Sequence, residues 1–93
     1  MLDLKDAIKK AFEFFGQIYE GQKLPNKLLE EIEYDDSDDI WKVVIGFDSE
    51  RITTKTEGPH LFPSTVRENE RKYKQIRLKG KDGSFVKMVD QAL

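Results

Sequence analysis

The stretch from Leu28 to Asp48, LLEEIEYDDSDDIWKVVIGFD, reads as two β-strands joined by an acidic turn. In the first strand, Leu28 to Tyr34, side chains alternate. Leu28, Glu30, Ile32 and Tyr34 share one face, and Leu29, Glu31, Glu33 and Asp35 share the other. The second face is nearly all acidic, as expected of a surface in water. The second strand, Ile40 to Asp48, places Trp41, Val43, Ile45 and Phe47 on one face, with Ile40, Lys42, Val44 and Gly46 on the other. The first set is expected to face a covering layer. Ile40 and Val44 leave the reverse face partly apolar, a surface that could be covered or could receive a partner. Gly46 signals a bulge or a close backbone approach.

Working outward, Asp3 to Glu20 has helical periodicity. Leu4, Ile8, Ala11, Phe15 and Ile18 fall on one line, flanked by Phe12 and Tyr19 on one side and Ala7 and Phe14 on the other. Asp3 fits an N-cap, and Gly21 a stop in the left-handed conformation. The stripe is broad and aromatic, which suits a helix laid on a sheet. Pro25 punctuates the connector from Gln22 to Lys27.

After Asp48, strand character continues through Arg51 to Thr56 beyond an irregularity at Ser49-Glu50. Glu57 to Pro63, with Gly58-Pro59 inside it, reads as a loop whose Leu61 and Phe62 close the end of the core. Thr65 and Glu68 match a capping box, which predicts a short helical turn over Val66 to Arg71. A third strand follows from Arg71 to Lys79. An Asp82-Gly83 turn then leads to a fourth, Phe85 to Val89. The expected fold is α+β, a single domain over residues 1–93: an N-terminal amphipathic helix on one face of a three- to four-stranded antiparallel sheet.

Composition narrows the function classes. In 93 residues, 37% are charged and 38% hydrophobic, with a net charge of -2. The apolar residues sit in periodic runs, so the charge coats a small core instead of dissolving it. There is no cysteine, which removes disulfide scaffolds, thiol nucleophiles and thiolate metal sites. The N-terminal segment has charges every few residues, and no apolar run approaches the ~18 residues of a membrane span. A cytoplasmic location without membrane association is expected.

His60 is the sole histidine, with no companion for a metal pair or a triad. Asp35, Asp36, Asp38 and Asp39 invite a calcium reading, but the loop lacks the glycine and the distal glutamate of an EF-hand. Turn formation explains them more simply. Neither a metal, a cofactor, a catalytic group nor a small-molecule substrate is expected.

Two motifs together carry a resemblance. One is the strand EEIEYDDSDDIWKVVIGFD, with Trp41 directly after an acidic turn. The other is YKQIRLKGKDGSFVKM, a strand, an Asp-Gly turn and a further strand. With the N-terminal helix, the chain resembles the small PepSY-like domains. Trp41 matches their tryptophan-bearing strand. Lys81, Asp82, Gly83 and Phe85 match their hairpin with Asp-Gly in place of Thr-Gly. The resemblance implies a helix on an antiparallel sheet and a non-enzymatic accessory or inhibitory binding module.

Two functional expectations follow. The first is protein binding or self-association, through the apolar positions Ile40 and Val44 and an edge strand. The second uses charge. Glu30 to Asp39 holds seven acids and no base, whereas Arg67 to Lys87 holds eight bases against three acids. These strands either neutralise each other or leave a basic face, with Arg71, Lys74, Arg77 and Lys79 as its candidate contacts. Over residues 71–81 such a face would suit a nucleic acid. An acidic pI of about 5.4 argues against that alternative.

Overall fold

The computed structural model describes residues 1–57 and 62–92. The N-terminal helix α1 spans Leu4–Ile18, followed by strands β1 (Leu28–Asp35), β2 (Ile40–Glu57), β3 (Phe62–Lys79) and β4 (Phe85–Asp90). The strands form one antiparallel sheet in the order β1-β2-β3-β4, with α1 packed on one face. This is the expected α+β arrangement.

The alternation of β2 builds the core. Val43, Ile45 and Phe47 are buried under α1 with Ile76 and Leu78 of β3, against Ala7, Ala11 and Phe15 of the helix. The small Ala7 and Ala11 let the helix approach the sheet closely. Phe15 then fills the space beside Tyr19 and Phe47, with ring centroids 4.8 and 5.3 Å away. Burying side chains of this size contributes about 1.5–3 kcal/mol each. Leu4 and Ile18, which share the predicted stripe, stay half exposed at the two ends of the helix. Asp3 is the N-cap, accepting from the Asp6 amide at 2.9 Å. Gly21 has φ +82° just past the helix, as the stop signal required.

Trp41 closes the other end of the core. Its ring lies 5.0 Å from that of Tyr34, and its Nε1 donates to the Leu2 carbonyl at 3.2 Å. The Leu2 amide in turn donates to Gly80 O at 2.8 Å, tying the N-terminus to the β3–β4 turn. The two tight turns share one device. Asp35 Oδ1 accepts from the Ser37 amide and hydroxyl, and Asp82 Oδ1 accepts from those of Ser84.

Four sequence expectations need correction. The segment Val66 to Arg71 is strand, not a helical turn. One turn of helix fixes several residues for a single hydrogen bond, whereas here the backbone finds a full ladder opposite Asp48 to Thr53. The loop predicted over Glu57 to Pro63 is shorter, since Phe62 and Pro63 already pair with Glu57 and Thr56 at the far end of the ladder. His60 and Leu61 lie outside the described residues. The irregularity at Ser49-Glu50 is absent, since β2 and β3 pair in one unbroken register from Ile40↔Lys79 to Glu57↔Phe62.

Finally, β1 does not alternate throughout. Leu29 pairs with Ile45 and Glu31 with Val44, so Glu30 is an extra residue in a bulge. Leu29, Ile32 and Tyr34 therefore share the helix side, and the acids share the reverse side. The close approach predicted at Gly46 is real. A Cβ there would lie 2.5 Å from Glu30 Oε1 and 3.0 Å from Arg71 Nη2. The bulge itself belongs to the neighbouring strand.

Candidate functional site: the two-stranded arm and its root

The sheet has four strands at one end and two at the other. β1 stops pairing at Leu28↔Gly46 and β4 at Asp90↔Lys74. Beyond them, β2 and β3 continue alone through nine pairs, Ser49↔Glu70 to Glu57↔Phe62. At ~3.3 Å per residue this arm is about 30 Å long. The molecule is accordingly elongated, with extents of 63 × 26 × 17 Å and a radius of gyration of 17.7 Å. A compact chain of this length would have about 12 Å.

The register fixes where the arm's backbone groups point. In β2 the Asp48 amide points away from β3, donating to Pro25 O at 2.9 Å. By the period of two, the N–H and C=O groups of residues 50, 52, 54 and 56 point the same way. In β3 the Tyr73 carbonyl points away from β2, accepting from the Gln91 amide at 3.1 Å. Residues 65, 67 and 69 follow it outward. Among the described residues no third strand pairs with either side of the arm.

The edges of the four-stranded part are built differently. β1 is bulged at Glu30 and carries Glu30, Glu31, Glu33 and Asp35. β4 has six residues, a register shift next to Lys87 and a lysine at its centre. Bulges, short length and charge are the devices that stop an edge from pairing with another chain. The arm has no register shift.

The root of the arm is a polar knot centred on Arg71. Arg71 Nη2 donates to Glu30 Oε1 at 2.7 Å. Nη1 donates to Asp48 Oδ1 at 3.1 Å and to the Asn26 carbonyl at 2.6 Å. Asn26 Nδ2 donates to the other Asp48 oxygen at 2.5 Å, from a backbone at φ +58°. One guanidinium thus joins the connector, the β1 bulge, β2 and β3 where the sheet narrows. Its fork of donors suits that role better than an ammonium would. The Asp48 carboxyl is held below the usual range, first by Asn26 and then by Arg71. The Arg71 guanidinium is held further in its charged form, chiefly by Glu30.

On the helix side of the root lies an open groove of about 620 Å³, where α1 ends and the arm begins. Half-buried Tyr19 and Leu24 supply its apolar wall over the buried Phe47, and Arg71, Lys72, Lys74 and Asp90 its charges. Lys74 Nζ is bonded to Asp90 across the β3–β4 ladder. That bond is the main reason the Lys74 pKa is raised and the Asp90 pKa lowered.

The residues selected from sequence do not form one patch. Register places Ile40, Val44, Arg71, Arg77 and Lys79 on the reverse face and Lys74 on the helix side. Val44 is 2% exposed, so a partner cannot reach it on this surface. Arg71 is committed to the knot and Lys74 to Asp90. Arg77 Nε donates to Gln75 Oε1 at 2.7 Å, and Lys79 is exposed. The bases of segment 71–81 are divided between the two faces, not aligned in one stripe. In the acidic turn, Asp39 accepts from the Tyr34 hydroxyl at 2.5 Å and Asp35 pairs with Lys42 at 3.3 Å. These internal bonds occupy two of the four carboxylates behind the calcium reading, and among the described residues no acid or histidine cluster has the form of a metal site. No helix among the described residues is long and apolar enough to cross a membrane.

Sequence reasoning found the β2 half of the arm, Arg51 to Thr56, and missed the β3 half, although a signal was present. Ile52, Thr53, Thr54 and Thr56 before Gly58-Pro59, and Thr65 and Val66 after it, are β-branched residues that favour strand on both sides of that pair. Compared with protein-family models, curated proteins and solved structures, the chain shows no match.

Proposed function

We propose that this chain is a small, non-enzymatic, cytoplasmic protein-interaction module, and that its arm receives the partner by strand addition. One observation carries the reading: the arm presents two long edges in unbroken register, while the edges of the four-stranded part carry register shifts. An isolated two-stranded ribbon is marginally stable in water, and a third strand turns it into a sheet. Backbone hydrogen bonds supply affinity in such a complex, and alternate side chains supply specificity. The resemblance to PepSY-like binding modules points in the same direction. Within the arm, residues 49–57 and 62–70 hold three bases (Arg51, Lys55, Arg67) and four acids (Glu50, Glu57, Glu68, Glu70). That balance suits a protein partner better than a polyanion.

The test compares the full chain with a version in which residues 50–69 are replaced by an Asn-Gly turn. The full chain is expected to retain a defined protein from its native extract that the shortened chain does not. Equal capture by both, or capture by neither, would remove the arm as the interaction site.

A further inference from the structure

The two edges of the arm are not equivalent, and the difference bears on what adds to them, an inference that rests on the strand-addition reading. We infer that the added strand is the β2 arm of a second copy of this chain. The two copies pair antiparallel about a two-fold axis at Thr54, and their ribbons become one four-stranded sheet in the order β3-β2-β2-β3.

The β3 edge is blunted at both ends. At the root, the Tyr73 carbonyl already accepts from the Gln91 amide of the same chain at 3.1 Å. Toward the tip, Pro63 shares the outward parity of residues 65, 67 and 69, and proline has no N–H to donate to a new neighbour. The β2 edge has no such interruption. Residues 50, 52, 54 and 56 share the outward parity of Asp48, and each has an N–H as well as a carbonyl. The connector closes this edge only at Asp48, whose amide donates to Pro25 O at 2.9 Å.

A second copy fits the β2 edge in one register. Two-fold antiparallel pairing joins positions whose numbers have a constant sum, so the register is set by where the axis passes. An axis at Ile52 would bring position 56 of the second copy to Asp48, where the connector already holds the backbone. An axis at Thr53 would set Arg51 opposite Lys55 twice, and like charges directly opposite each other destabilise a sheet. An axis at Thr54 sets Arg51 opposite Glu57 twice, with Thr53 opposite Lys55 and Ile52 opposite Thr56. An axis further out shortens the shared ladder. Within one ribbon Arg51 stands opposite Glu68. The row across the dimer therefore reads Glu68, Arg51 and the second copy's Glu57, a base between two acids. The bodies of the two copies lie at opposite ends of the shared sheet, so each ribbon gains a third strand without bringing the helices together.

Sedimentation equilibrium on the full chain, over a concentration series, tests the inference by charge exchange. The chain is expected to be a monomer when dilute and a dimer as concentration rises. Arg51→Glu and Glu57→Arg should each weaken the dimer by about tenfold, because each reverses both charge pairs. An equimolar mixture of the two variants should recover the association of the parent, since every changed charge then meets an opposite one. A full chain that stays monomeric at its highest soluble concentration would overturn the inference. So would a dimer that neither reversal weakens, a mixture that associates no better than its components, or a dimer that persists when residues 50–69 are replaced by the Asn-Gly turn. A monomeric full chain that still captures another protein through the arm would overturn the second copy as occupant and leave strand addition standing, which separates the two failures.

Discussion

Ile45 and Thr54 belong to the same strand, yet they occupy different kinds of structure. Around Ile45, β2 has β1 on one side, β3 on the other and α1 above, and the side chain is fully buried. Around Thr54, nine positions along, β2 has β3 and no other described strand. The ladder is continuous, so hydrogen bonding between β2 and β3 does not distinguish the two ends. Coverage does. The covered end derives its stability from apolar burial under the helix. Among the described residues the arm has the ladder alone, and on the strand-addition proposal a partner strand supplies the rest. A continuous strand can thus be a core element over half its length and one strand of a two-stranded ribbon over the other half.

The largest effect that sharpens this contrast is at Phe15. Phe15→Ala removes the aromatic centre of the helix–sheet contact and should cost about 3–5 kcal/mol in chemical denaturation. Replacing residues 50–69 by a short turn deletes far more chain but should change stability by only about 1 kcal/mol, because the ribbon is itself marginal. A loss of several kcal/mol on shortening would show that the arm is part of the cooperative core.

A smaller effect is expected where the two ends meet. Gly46→Ala places a methyl group against Glu30 and Arg71. The Glu30 side chain can move aside, so the cost should be about 1 kcal/mol, accompanied by loss of the Glu30–Arg71 pair. Chemical shifts of Arg71 and Asn26 should move while those of Trp41, at the other end of the core, stay in place.

The smallest effect is on acid stability. Asp48 has its folded pKa depressed, by Asn26 and then Arg71. Its contribution is therefore fully present above the unfolded carboxylate value of about 4, and it is lost as pH falls through the folded value. Asp35, Asp82 and Asp90 are shifted in the same direction, so the whole chain should lose stability below about pH 4. Asp48→Asn should lose less than the parent over that window. Equal acid sensitivity of the two would mean that the knot does not hold Asp48 in its charged form.

The covered end was legible in the sequence because burial leaves a period. Trp41, Val43, Ile45 and Phe47 alternate, and the helix repeats its apolar stripe, so the helix-on-sheet arrangement and its facing residues could be read directly. The acidic turn and the Asp82-Gly83 turn were legible from local chemistry alone. The bulge at Glu30 was not, because an extra residue shifts parity without leaving a compositional mark. Only the close approach at Gly46 hinted at it. Of the arm, Arg51 to Thr56 was legible as strand, and the β3 half was obscured for the opposite reason to the core. With no covering layer its residues show no alternation, and the Thr65–Glu68 spacing offered a local helical alternative that the long ladder overrides. Arg71, Lys74, Arg77 and Lys79 appeared as one basic run along the chain. Strand alternation sends Lys74 to the opposite face, and the fold supplies acids for Arg71 and Lys74 from distant segments.

The central claim is that the arm projects as a ribbon. Small-angle X-ray scattering from the dilute full chain and the shortened chain tests it most directly. The account predicts a radius of gyration near 17.7 Å for the full chain, falling to about 12 Å on shortening. A full-chain value already near 12 Å would mean that the arm folds back on the body, with its edges covered by the chain itself.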